Sequence, residues 1–111
     1  MSAPTVWYHV RDLEAGRQFY RETLGFHETA VDFTERWSQL HCGEMRIGLA
    51  EGEPRDDGAV AHVDVADVKA EAERLRAAGV EVGIVLELQG ELRLLDVYDP
   101  DGNRIQLAQE L

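Results

Sequence analysis

The 111-residue chain holds one cysteine, Cys42, and one lysine, Lys69, and has no apolar run long enough to cross a bilayer. A single cysteine excludes an intrachain disulfide and fits a reducing compartment, so the chain is expected in the cytoplasm. Cys42 reads as a small strand residue, buried or half-buried, ahead of a reactive thiol. The opening "MSAPTVWYHV" lacks a basic start followed by an apolar core, and no signal peptide is expected. There is no glycine-rich phosphate loop, no serine nucleophile elbow and no paired cysteines for zinc. Positive charge is scarce as well: 11 basic residues face 22 acidic ones, a formal charge of −11. Such a surface repels nucleic acid and anionic membranes, so neither is expected as a partner. It would attract a cationic small molecule, although acidity serves solubility equally well.

What is present is a globular composition, 44% hydrophobic and 30% charged, in a length that suits one domain over residues 1–111. That domain is written twice. "VRDLEAGRQFYRETLGF" (10–26) and "VADVKAEAERLRAAGV" (65–80) share a layout: strand end, aspartate cap, helix, closing glycine. The caps Asp12 and Asp67 lie 55 residues apart, and "RIGLA" (46–50) matches "RIQLA" (104–108) at an offset of 58. The repeat predicts module 1 over about 4–52 and module 2 over about 59–111, joined by the polar linker "EGEPRDDG" (51–58).

Each module reads as a strand, a helix and three strands. In the first, residues 5–11 alternate as a strand, and Leu13, Gly16, Tyr20 and Leu24 fall near helical spacing before Gly25. "FHETAVDFT", "WSQLHCG" and "MRIGLAEG" supply its other strands. In the second, "AVAHVDVA" precedes a helix with Val68, Ala72, Leu75 and Gly79 on one face. "VEVGIVLEL", "LRLLDVYD" and "NRIQLAQEL" follow, with "DPDG" as the last turn. Strand alternation then sorts the faces. Val6, Tyr8, Val10, Ala61, Val63, Val65, Ile105 and Leu107 belong under the helices. Thr5, Trp7, His9, Val60, His62, Asp64, Arg104, Gln106 and Ala108 share the opposite, open face, where a cavity would lie.

"VWYHVRDLEAGRQFYRETLGF", "HVDVADVKAEAERLRAAGV" and "DPDGNRIQL" together resemble the vicinal oxygen chelate superfamily, of glyoxalase, bleomycin resistance protein and dioxygenase type. The resemblance spans nearly the whole chain. It implies an α+β fold of two tandem βαβββ modules forming a curved mixed sheet, with the helices on the outer face. In metal-using members it implies ligands at positions that fall here on Thr5, Gly48, Val60 and Gln106. A divalent ion needs several charged or imidazole donors to offset lost hydration, and this set offers one neutral amide and one hydroxyl. No metal or other cofactor is therefore expected, and the chain is closest in character to the small metal-free bleomycin-resistance-like members.

The expected function is metal-independent binding of a small molecule, antibiotic-like and aromatic or cationic, by Trp7, His9, His62, Asp64, Arg104 and Gln106. Trp7, with Trp37 as a possible neighbour, offers flat apolar area for stacking, though ordinary packing also accounts for it. Asp64 is placed to hold a ligand amine or to pair with His9. The alternative is an enzyme of the same fold, a lyase, isomerase or dioxygenase. It would use a relocated metal at His9, His62 and Asp64, or histidine acid/base catalysis. His27 and His41 are assigned to the surface. The resemblance further implies a homodimer with grooves formed between modules of two chains.

Overall fold

Alternating β-branched and aromatic residues form β1 (Thr5–Val10), and Asp12 turns the chain into a helix. Its carboxylate accepts the Glu14 N–H at 3.2 Å, satisfying one of the donors that a helix start leaves open. Helix α1 (Leu13–Gln18) runs straight into a wider π-helical turn over Phe19–Thr23, and Gly25 exits at φ 79°. Strands β2 (His27–Asp32), β3 (Trp37–Cys42) and β4 (Met45–Glu51) follow. The second half repeats this order. β5 (Ala61–Asp64) leads to Asp67, which caps α2 (Val68–Ala77) through the Ala70 N–H at 3.1 Å, and Gly79 exits at φ 80°. Then come β6 (Glu81–Val82), β7 (Leu86–Leu88), β8 (Leu92–Tyr98) and β9 (Arg104–Glu110).

The structure is a computed structural model that describes residues 5–55, 58 and 60–111. The chain start at 1–4 and linker positions 56 and 57, both used in the sequence reading, lie outside the described residues, as does the side chain of Thr5.

Each module builds its own mixed sheet, in the order β1-β4-β3-β2 and β5-β9-β8-β6, with β7 also pairing β8. In both sheets the first strand lies parallel to the last, and the remaining pairs are antiparallel. Helix α1 lies over β3 and β4, and α2 over β6, β8 and β9. One segment departs from expectation: "VEVGIVLEL", read as a single strand, is two short ones. Val80 and Val82 face the core, but beyond Gly83, whose N–H donates to the Asp96 carbonyl at 2.8 Å, the inward position passes to Val85. The parity of the alternation changes there, and Ile84, Leu86 and Leu88 are left exposed.

The faces otherwise separate by alternation. Tyr8, Val10, Ala61, Val63, Ile105 and Leu107 are buried, while Trp7, His62, Asp64 and Arg104 are exposed. Ala108 differs: assigned to the open face, it is buried, its small side chain flanked in register by Asp64 and Leu94. A single core joins both modules, centred on Tyr20 with Tyr8, Phe19 and Phe26 around it. Polar clasps reinforce it: the Tyr20 hydroxyl donates to Asp99 at 2.9 Å, and the Asn103 amide donates to the His9 carbonyl at 2.9 Å. No helix among the described residues is long and apolar enough to cross a membrane.

Candidate functional site

Trp7 of β1 sits opposite Gly48 of β4 in the parallel register, and its indole lies across the glycine. A Cβ at Gly48 would stand 2.5 Å from Trp7 Cδ2 and Cζ3, so a glycine is what lets the ring lie flat on the strand. The indole is 45% exposed and forms part of a cleft of about 540 Å³. His9, Arg55, Val60, Tyr98, Asn103 and Arg104 line the same cleft. Beneath it, the Tyr8 hydroxyl donates to the Arg104 carbonyl at 2.6 Å and accepts the Ala61 N–H at 2.8 Å. Burial pushes the Tyr8 phenol up to about 12, so it stays protonated and serves as a structural link between the modules.

The equivalent position of module 2 is His62, opposite Gln106 in the β5–β9 register. Its Nδ1 lies 3.2 Å from Gln106 Oε1, and Gln106 Nε2 donates to Asp96 at 3.4 Å. Arg104 Nη1 lies 3.6 Å from the other Asp96 oxygen, and His62 Nε2 lies 3.9 Å from Asp64. His62 and Asp64 do not share the Trp7 cleft. They line a recess of about 390 Å³ with Val6, Cys42 and Met45. Of the six expected binding residues, then, Trp7, His9 and Arg104 come together, His62 and Asp64 face a second recess, and Gln106 bridges His62 to Asp96 on the strand between.

Asp64 has His62 as its neighbour, not His9. Trp37 is outside the Trp7 cleft. His27 and His41 face each other across β2 and β3 with ring centroids 5.4 Å apart, the first exposed and the second half-buried. Cys42 is half-buried, and burial raises its thiol, which disfavours the reactive thiolate. The sequence reading missed Tyr98 and Asn103. The register signal for Tyr98 was available, because alternation along "LRLLDVYD" puts it on one face with Asp96, opposite Arg104.

The donors that a metal of this fold would need do not fit. Gly48 has no side chain and is covered by Trp7; Val60 is apolar; the Gln106 amide is engaged at both ends. Thr5 contributes a backbone position opposite Arg46. The relocated set is not assembled within one chain either, since His9 lies in one cleft and His62 with Asp64 in the other. Among the described residues no three His, Cys, Asp or Glu side chains gather as a metal would require.

A family model described as the Glyoxalase/Bleomycin resistance protein/Dioxygenase superfamily matches residues 4–107. No curated protein matches the chain. Among solved structures, TnmS3, an antibiotic binding protein from Streptomyces sp. CB03234, is 26% identical with a TM-score of 0.83, covering 100% of this chain and 97% of its own. A lactoylglutathione lyase from Agrobacterium tumefaciens is 17% identical with a TM-score of 0.76, covering 95% and 90%. The fosfomycin resistance protein FosX from Listeria monocytogenes, solved with Mn(II) and sulfate, is 20% identical with a TM-score of 0.79, covering 97% and 89%. The last two likenesses are of fold, and one fold hosts many chemistries.

Proposed function

The chain belongs to the Glyoxalase/Bleomycin resistance protein/Dioxygenase superfamily, and from that premise we propose that it is a metal-independent binder of small, flat, antibiotic-like molecules. The observation that carries this reading is Trp7 lying on Gly48. Where metal-using relatives of this fold need a ligand side chain, this chain has a bare glycine with an indole laid over it, and Trp7 remains nearly half exposed. Aromatic faces favour offset stacking with flat partners and bury large apolar area in doing so. The antibiotic-binding TnmS3, similar over the full chain, supports an antibiotic-like ligand.

The test is a tryptophan-fluorescence titration with a panel of planar aromatic antibiotics. Saturable quenching is expected, and Trp7→Ala should weaken binding roughly tenfold or more, as loss of a central aromatic anchor does. A flat response across a broad panel would remove the support for a binder. Metal analysis of protein purified without chelator should find far less than one divalent ion per chain. A full equivalent, lost on changing His62 to Ala, would favour the enzyme alternative.

We further propose that the protein acts as a homodimer in the cytoplasm. The open side of the second sheet carries exposed Leu86 and Leu88 beside half-buried Leu94 and Leu92, their register partners on β8. A contiguous apolar strip of this kind marks an interaction surface. One half-buried cysteine suits a reducing compartment.

A further inference from the structure

We propose, resting on the stacking reading above, that the Trp7 cleft selects flat aromatic ligands that carry an anionic group, opposite to what the net charge of the molecule invites. The chain carries a formal charge of −11, yet the two charged side chains among the described lining residues, Arg55 and Arg104, are both cationic. No carboxylate is among those described lining residues. Asn103 donates its amide hydrogens to the His9 carbonyl and Asp99, but two other lining side chains hold donors in reserve. The Trp7 indole N–H and the Tyr98 hydroxyl make no hydrogen bond to another described residue. An indole and a guanidinium can only donate, so their complement on a ligand is an acceptor, and the strongest acceptor is a carboxylate or similar anion.

Arg104 supplies the charge. Its acidic neighbour Asp96 lies 3.6 Å from Nη1, beyond good hydrogen-bond length, and the Arg104 side chain lines the cleft while half exposed, so its donors can turn to a ligand. Arg104 stands opposite Tyr98 in the β8–β9 register, and both line the cleft together with Trp7. A ligand stacked on the indole would thus meet a fork that matches a carboxylate in shape and sign.

Two fields compete, and distance decides between them. At physiological salt the screening length is about 8 Å, so acids elsewhere on the surface are felt only weakly inside the cleft. A contact pair with Arg104 is partly shielded from water and screened much less. The acidic surface therefore bears on the rate of encounter, and the lining decides which ligand stays.

The experiment is calorimetric titration of the purified protein at neutral pH with three matched probes: naphthoate, naphthalenemethanol and naphthylmethylammonium. Naphthoate should bind roughly tenfold more tightly than the neutral alcohol, the worth of one charge-assisted contact, and the ammonium most weakly. Arg104→Gln should erase the margin of naphthoate over the alcohol, and Arg104→Lys should keep part of it. Equal affinities, or tightest binding of the ammonium, would overturn the charge preference and leave stacking intact. A naphthoate preference that survives Arg104→Gln would overturn its assignment to this cleft. If none of the three binds, stacking and charge preference fall together.

Discussion

At the scale of single residues, Trp7 and Gly48 act as a unit. The glycine is needed for contact distance and not for backbone freedom, because the ring occupies the space where a Cβ would stand. Gly48→Ala should drive the indole off the strand. Since Trp7 is already 45% exposed, the ring can swing outward, and the stability cost should be only about 1 kcal/mol, below that of a true core clash. Ligand affinity should fall nearly as far as in Trp7→Ala. Fluorescence emission and thermal melting would report the two effects separately; unchanged emission with unchanged affinity would mean that the ring needs no glycine beneath it. This pairing was half legible. Alternation put Trp7, His9, His62 and Asp64 on the open side, and the family resemblance implied Gly48 as a vacated ligand position. That one fills the other depends on parallel pairing of β1 with β4, two strands distant in sequence, which no local pattern encodes.

At the scale of elements, the boundaries with a local chemical cause were the readable ones. Asp12, Asp67, Gly25 and Gly79 sit where caps and left-handed exits are required. The π-helical turn was not readable, because Leu13, Gly16, Tyr20 and Leu24 satisfy ordinary helical spacing; it begins at Phe19 and Tyr20, both buried. The first helix is also tied to the edge strand β2 by a contact that makes a prediction. Arg17 grips Glu28 bidentately at 2.7 Å through Nε and Nη2, and the Ser38 hydroxyl donates to the same carboxylate at 2.6 Å. The Arg17 hydrogen bonds hold the Glu28 carboxyl below the usual glutamate range against the opposing effect of burial. A carboxyl depressed in the fold adds stability that is fully present above its unfolded value and is lost as pH falls through its folded value. Glu28→Gln should therefore cost roughly 1–2 kcal/mol at neutral pH, and the gap to wild type should close in acid. Urea melts at about pH 7 and about pH 3 would measure it, and an unchanging gap would mean that the pair contributes through shape alone.

At the scale of the whole molecule, the sequence described two similar halves but not how they meet. Tyr8 and the Asp99–Asn103 turn lock the modules so that Val60 lies beside Trp7, while His62 and Asp64 lie beside Val6. That arrangement divides the expected site into two recesses and leaves Leu86 and Leu88 of the β7–β8 strip nearly half exposed among the described residues. Burying that strip against a second copy is the simplest way to remove it from water, at about 25 cal/mol for each Å² of apolar area. Light scattering at micromolar concentration should give twice the chain mass. A double variant, Leu86→Asp with Leu88→Asp, should give the chain mass with an unaltered circular dichroism spectrum, because both side chains are nearly half exposed already. Wild-type protein at the chain mass would end the dimer proposal. The same variant separates two locations for the ligand. Binding in a groove shared between chains would disappear with the dimer, whereas the Trp7 cleft is lined by residues of one chain and should hold an aromatic ligand with its affinity nearly intact.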